Sequence, residues 1–430
     1  MSATAVLLIT GVFLIAIGLP IAFGLGWASV AGLLVKGQTL LVFPQRLWTS
    51  IDSFTLMAII FFVIAGELML QGGISKRLIN LAMVFFRYLR GGLATVSLIS
   101  CAMFGALSGS ALATTAAIGG IMYPEMTSEK GGYGKVFTGT LMAAGGTLGT
   151  MRPPSITLIL YANITNTSVG DLFLAVIIPG LIMMMMYIVA AYIYIFRRGY
   201  DGPALRATRE KTSFKQVIKA FYEGIWAILM PVIILGGIYG GIFTPTESAV
   251  VACFYAIIVG VFIYRELTLK LFYRAIVKAA VISATIMLLV ATANLFGWVM
   301  AILNIPAAVM DGLAVFTDTR FVFLLMINVL FLICGMFMDT TVIILLIIPL
   351  LFTTASNLGI SLIHFGVIAC INLSMGMITP PFGTSLFVSA NMTGQKIEPM
   401  YKEVLLYCLM GCVGILLVTY IPSISMFLIK

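Results

Sequence analysis

The sequence predicts an all-α polytopic membrane protein made of two inverted-topology repeats, each holding a re-entrant helical hairpin and a broken transmembrane helix. Three observations carry this. Hydrophobic residues make up 61% of the 430-residue chain and charged residues only 9%, whereas a water-facing surface needs roughly a quarter charged. Apolar runs of about twenty residues, enough to cross a hydrocarbon core, recur from one end to the other. Finally, Gly149-x-x-x-Pro153-Pro154 returns 227 positions later as Gly376-x-x-x-Pro380-Pro381, and Ala162-Asn163-Ile164-Thr165 returns as Ala390-Asn391-Met392-Thr393.

The first repeat is expected over residues 1–197. It opens with a span at about 5–34, which lacks a basic leader and a cleavage site and is expected to be retained. A polar-aromatic connection with Lys36, Pro44, Arg46 and Trp48 leads to a span at about 53–72. Lys76, Arg77, Arg87 and Arg90 accompany Leu78, Leu81, Val84 and Phe85 at helical spacing, the pattern of an amphipathic helix lying in the interface. The apolar stretch 91–130 is interrupted at Ser108-Gly109-Ser110, leaving two arms short for a crossing, so a re-entrant hairpin is expected. Gly145, Gly146, Gly149, Pro153 and Pro154 interrupt a span at about 134–163, and another span follows at about 171–196.

Residues 198–243 form a basic loop and a connecting span at about 222–243. The loop carries Arg197, Arg198, Arg206, Arg209, Lys211, Lys215 and Lys219 against Asp201 and Glu210, which makes it cytoplasmic by the positive-inside rule. The second repeat, 244–430, restates the series with spans at 247–264 and 280–302 and basic residues Arg265, Lys270, Arg274 and Lys278 between them. An interfacial stretch, a hairpin at about 319–357 broken at Asp339-Thr340-Thr341, a broken helix at about 363–391 and a last span at 403–428 follow. Four crossings per half with one connecting span place the second half in the opposite orientation.

The formal charge of +9 comes from residues in inter-span loops, where they act as topology signals, so nucleic acid is not expected as a partner. Cys101, Cys253, Cys334, Cys370, Cys408 and Cys412 lie in apolar segments without metal spacing and read as small core residues. The single histidine, His364, reads as an interfacial residue. Without a Walker motif, a Ser-His-Asp set or zinc spacing, neither an enzyme nor ATP-driven work is indicated. What remains is movement of a small solute across a bilayer.

Inverted repeats with broken helices bring solute and ion sites near the membrane midplane, and opened turns free carbonyls that suit a hard cation. The first candidate sodium-binding set is Ser108, Gly109 and Ser110 facing Thr147, Gly149 and Thr150. Its counterpart is Asp339, Thr340 and Thr341 facing Gly376, Met377 and Thr379. The competing account is that small residues merely permit close helix packing; pairing of the clusters in register favours the site. Arg152, between the glycines and the proline pair, is a candidate for attracting an anionic solute, and Ser155 and Thr384 are placed beside it as substrate-binding candidates. Asp339 is expected to coordinate a cation or carry a proton. Glu67 corresponds to Asn294 and suggests a shared polar packing position.

The runs GALSGSALAT at Gly105–Thr114, GTMRPPS at Gly149–Ser155, PTESA at Pro245–Ala249 and GMITPPFG at Gly376–Gly383 resemble, together and across essentially the whole chain, the large membrane subunit of tripartite ATP-independent periplasmic (TRAP) transporters, in the ion-transporter superfamily. The resemblance implies a sodium-coupled importer of organic acids in a bacterial inner membrane, with C4-dicarboxylates and sialic acid as family substrates and sialic acid the leading expectation here. Na+ is the implied coupling ion, without an organic cofactor. The implied partners are a small four-span membrane subunit, expected as a separate chain, and a periplasmic substrate-binding protein. An elevator is implied too, with a transport domain of hairpins and broken helices moving against a scaffold. The alternatives are an ion-coupled carboxylate carrier of the same superfamily that needs no binding protein, or a channel. The topology has a direct test: a cysteine placed at residue 210 should resist an impermeant thiol reagent added to intact cells, and a residue at the C-terminus should react.

Overall fold

The computed structural model describes residues 2–129, 131–200, 214–305 and 319–429. Among these residues regular structure is helical throughout, and eight helices are long and apolar enough to cross a membrane. The first half contains α1 (Ala3–Ala16), α2 (Ile21–Lys36), α3 (Val42–Ile51), α4 (Phe54–Gln71), α5 (Ile74–Phe86), the hairpin α6 (Gly92–Ser108) and α7 (Ala111–Thr127), the broken pair α8 (Lys135–Thr147) and α9 (Ile156–Thr165), α10 (Val169–Ala175) and α11 (Ile177–Arg198). α12 (Phe214–Tyr239) connects the halves. The second half contains α13 (Pro245–Ile258, continued by a π turn Val259–Ile263), α14 (Leu269–Ile302), the hairpin α15 (Arg320–Phe337) and α16 (Thr340–Asn357), the broken pair α17 (Leu362–Gly376) and α18 (Thr384–Thr393), α19 (Ile397–Tyr420) and the short α20 (Ser423–Met426).

Reciprocal packing expresses the repeat in space. α13 packs on α4 while α2, which corresponds to α13, packs on α14, which corresponds to α4. Likewise α16 packs on α9 and α7 on α18. Contacts exchanged in this way are what a pseudo-two-fold axis between inverted halves produces.

Several expectations need correction. The span at 5–34 is two helices, because Gly18 takes φ +89° and Pro20 cannot continue the hydrogen-bond ladder. Unbroken, thirty residues would reach about 45 Å, well beyond a hydrocarbon core of about 30 Å. α1 and α2 instead fold back on one another: Gly32 meets Leu7, Gly11 meets Ala28 and Gly24 meets Ile15, an antiparallel register. The sides assigned after residue 54 do not depend on this pair. The connection at 37–52 contains a helix, α3, with no buried residue, packed on α14 with the Arg46 guanidinium 4.5 Å from the centre of the Trp298 ring. The span expected at 280–302 begins at Leu269, so Lys270, Arg274 and Lys278 lie on the helix. The last span stops at Tyr420, ahead of Pro422.

The amphipathic helix α5 is present, with Leu78, Ile79, Leu81 and Ala82 buried, but Phe85 points outward at 56% exposure. His364 is buried, not interfacial; its ring nitrogens pair with Ser425 Oγ at 2.6 Å and the Thr419 carbonyl at 3.2 Å. Most of the basic loop, the interfacial stretch after residue 305, Lys130 and Lys430 lie outside the described residues.

Both hairpins are present, but their arms are longer than expected. α6 and α7 have 17 residues each and α15 and α16 have 18, the lower bound for a full crossing. Position distinguishes them from crossings. The α6–α7 tip lies beside Gly66, inside the length of α4, where an added Cβ would come within 3.4 Å of Ser108 Cα. That is ordinary van der Waals contact, whereas two closer approaches require glycine. A Cβ on Gly105 would fall 2.3 Å from Gly149 Cα, and one on Gly335 would fall 2.9 Å from Gly376 Cα. Each hairpin is thus seated backbone to backbone on the break of its own half.

Gly105→Ala should therefore force the hairpin off the break, at a cost of about 1–3 kcal/mol, seen as a lowered unfolding midpoint in detergent. Gly120→Ala, where an added Cβ meets nothing within 4 Å, is the control and should hold or slightly raise the midpoint.

Candidate functional site

Each hairpin tip joins the C-terminus of one helix to the N-terminus of the next. At the first, Gly109 takes φ +61° and ends α6, and Ser110 caps α7 by accepting from the Ala113 N–H at 3.4 Å. At the second, Asp339 caps α16, its Oδ1 accepting from the Thr341 N–H at 2.9 Å. An acidic cap suits the positive end of a helix dipole.

The two tips meet. A cavity of about 200 Å³ is lined by Ser108, Gly109 and Ser110 from one hairpin and Asp339, Thr340 and Thr341 from the other, with Thr150 and Thr157 beside them. Val63, Gly66, Glu67 and Leu70 of α4 and Ile282 and Ile286 of α14 form the opposite wall. Seven of the sequence-derived candidates therefore share one cavity, where the second cluster lies with the first cluster and with Thr150 and Thr157 of the first half, whereas Gly376, Met377 and Thr379 do not line it.

The polar atoms are tied across the repeats. The Thr157 and Thr340 hydroxyls are 3.3 Å apart and those of Thr150 and Ser374 are 2.6 Å apart. Within the first tip, Thr114 Oγ1 donates to the Ser110 carbonyl at 2.7 Å and lies 3.0 Å from Ser108 Oγ. Hydroxyls, a carbonyl and the carboxylates of Asp339 and Glu67 around a small cavity form an all-oxygen donor set, the kind a hard cation takes.

The remaining candidates lie outside this cavity. Thr147 turns to Tyr187, with its hydroxyl 3.4 Å from the phenol and donating to the Ala144 carbonyl at 2.8 Å. Gly149, Gly376 and Met377 are buried packing positions, and Met377 accepts from the Ser385 N–H through its carbonyl at 2.9 Å. Thr379 faces Cys408 on α19. Ser155 closes the break by donating to the Thr150 carbonyl at 2.8 Å. Thr384 and its neighbour Ser385 hold buried hydroxyls without a partner among the described residues. Arg152 enters a separate apolar cavity with Ala102, Met103, Ile228 and Pro231, its Nη2 3.4 Å from Met184 Sδ.

Glu67, Thr114, Thr157 and Ser374 are the site residues that sequence reasoning missed or passed over. Thr157 had a signal, since it corresponds to Thr384 in the repeat. Ser374 sits in an apolar run, but it too had a signal, since it corresponds to Thr147 in the repeat.

Helical hairpins paired with broken helices around a shared oxygen-lined cavity define a membrane carrier scaffold. The chain belongs to the family described as "Tripartite ATP-independent periplasmic transporter, DctM component", whose profile matches residues 8–424, and it is accordingly a transport protein and not an enzyme. The isethionate TRAP transporter permease protein DctMQ of Oleidesulfovibrio alaskensis is 40% identical over 96% of this chain, which spans 64% of that longer protein. The C4-dicarboxylate TRAP transporter large permease protein DctM of Pseudomonas aeruginosa is 36% identical over 89% of this chain and 87% of its own length. In fold, the Alcanivorax borkumensis YdaH transporter, whose crystal structure is described as having an unusual topology, superposes with a TM-score of 0.57 at 14% identity over 86% of this chain and 85% of that one.

The Thr150–Ser374 link makes a measurable claim about the site's cohesion. Thr150→Val and Ser374→Ala should each lower stability by about 1 kcal/mol, and the double variant should fall short of the sum because both remove one interaction. A thermal double-mutant cycle in detergent measures the shortfall.

Proposed function

We propose that this chain is the permease subunit of a sodium-coupled importer that carries a small organic acid across a bacterial inner membrane. The observation that carries the reading is the single oxygen-lined cavity between the two hairpin tips. Sodium would be held by hydroxyl and carbonyl oxygens at Ser108, Gly109, Ser110 and Thr150 on one side and by Asp339, Thr340 and Thr341 on the other. Its charge would offset that of the acid, which is why an anion and a cation travel together through a low-dielectric layer.

The organisation of helices supports elevator movement. Helices α6–α11 and α15–α19 pack among themselves around the breaks, while α1–α5 and α12–α14 pack among themselves. Contact between the groups runs chiefly along α4, α5 and α14. Rigid movement of one group against the other is the general behaviour of inverted repeats.

The family description supports a three-part assembly, with a small four-span membrane subunit and a periplasmic binding protein that delivers the acid. For the cargo, sialic acid is the first choice from the sequence, followed by a C4-dicarboxylate. The relative named for isethionate adds a sulfonate of similar charge, so recognition of a compact anion is the common feature. Arg152 is the one lysine or arginine in the two breaks, 148–155 and 377–383, and a guanidinium can hold a carboxylate through two parallel hydrogen bonds.

Uptake by reconstituted liposomes, with the partner chain and binding protein present, tests the reading: labelled acid should accumulate with an inward sodium gradient and fail to accumulate without one. Ser110→Leu and Thr341→Leu should assemble normally yet flatten the sodium response. An unchanged response would reduce both residues to packing. Arg152→Lys keeps the charge and should still cut acid uptake at equal membrane abundance; near-normal uptake would remove arginine from recognition.

A further inference from the structure

The cavity between the hairpin tips carries two carboxylates, Glu67 and Asp339, and among the described residues no lysine or arginine lines it. Glu67 belongs to α4, not to either hairpin. Its side chain is only 7% exposed; Oε1 lies 2.7 Å from Lys278 Nζ, and Oε2 is buried without a hydrogen-bond partner among the described residues. A carboxylate oxygen left in that state at membrane depth is costly unless a charge reaches it.

Lys278 stands one helical turn before Ile282 on α14, and Ile282 and Ile286 line the cavity. Unlike Glu67, it is 52% exposed. The pair therefore sits at the rim, with Glu67 turned inward and Lys278 reaching outside. Lys270 and Arg274 lie on the same end of α14, the end assigned to the cytoplasm by charge, and Arg265 lies in the connection just before it.

We propose that the Glu67–Lys278 ion pair is the cytoplasmic gate of the cavity, with Lys278 as the cation on which a departing acid lands. This rests on the reading that the chain imports an organic acid, and it routes the acid's exit through this cavity. While paired, Lys278 is neutralised by Glu67, and the cavity presents net negative charge that disfavours re-entry of an anion from the cytoplasm. An acid leaving the cavity exchanges places with Glu67 on the ammonium and then passes to the basic end of α14. No covalent bond changes; one ion pair replaces another, and the buried Glu67 carboxylate is compensated in turn by the cation that accompanies the acid.

The charge of the gate can be read without any substrate. Ala113, which lines the cavity, is replaced by cysteine and modified with cationic aminoethyl or anionic sulfonatoethyl methanethiosulfonate, the chain without that cysteine serving as the background. The cationic reagent should react faster. Glu67→Gln should raise the anionic-to-cationic rate ratio about tenfold or more, because it removes one negative charge and frees Lys278, and Lys278→Gln should lower the ratio. The same ratio in all three proteins would overturn the gate. In reconstituted uptake of isethionate, succinate and sialic acid, Lys278→Gln should slow the transported acid about tenfold, and Glu67→Lys/Lys278→Glu should not restore it. Restoration by the exchanged pair would make it a strut between α4 and α14 and overturn the proposal. If none of the acids is carried by the parent while the reagent ratios shift as expected, the electrostatic gate stands and the acid-import reading alone fails.

Discussion

Two glycine-on-glycine contacts, Gly105 against Gly149 and Gly335 against Gly376, underlie the architecture. In lipid, backbone polar groups must be satisfied by the protein itself, so a chain can leave its helix at depth only where other protein covers it. A hairpin tip and a broken helix each expose backbone in this way, and each is unstable alone. Seating one on the other brings their freed groups together and away from hydrocarbon, which requires that no Cβ stand between them. Once both seats exist, the second tip is brought close enough to the first broken helix for Thr340 to meet Thr157.

The same contacts explain why the cavity is polar but small. Oxygens at the first tip are held by one another, as in the Ser108, Ser110 and Thr114 cluster, so their positions are fixed by the fold. A wall from α4 and α14, apolar except for Glu67, closes the remaining side. That wall belongs to the other group of helices, and at Gly66 it lies against the first hairpin tip.

Much of this was legible in the sequence because the repeat is written twice. The proline pairs and their preceding glycines located both breaks, and Ser108-Gly109-Ser110 and Asp339-Thr340-Thr341 located both tips. Hydropathy alone could not divide α1 from α2, since a break at Gly18 and Pro20 leaves the run apolar, nor could it show that Lys278 rides on α14. The directions of side chains were the larger gap. Thr147 and Thr379 carry the same chemistry as Thr150 but sit on the far side of their turns, and a sequence pattern at the end of a helix does not fix which way a residue turns.

Helix α14 has a consequence for where the protein sits. At 34 residues it measures about 51 Å, against a hydrocarbon thickness of about 30 Å. If its outer end is level with the membrane surface, the apolar core covers about the last twenty residues, and the segment from Leu269 to about Ile282 stands in the headgroup zone or beyond. Lys278 then lies close to the boundary between hydrocarbon and headgroups, with Glu67 just inside it. A thinner bilayer would bring the pair into water, and a thicker one would draw it into oil, so lipid chain length becomes a variable acting on this one ion pair.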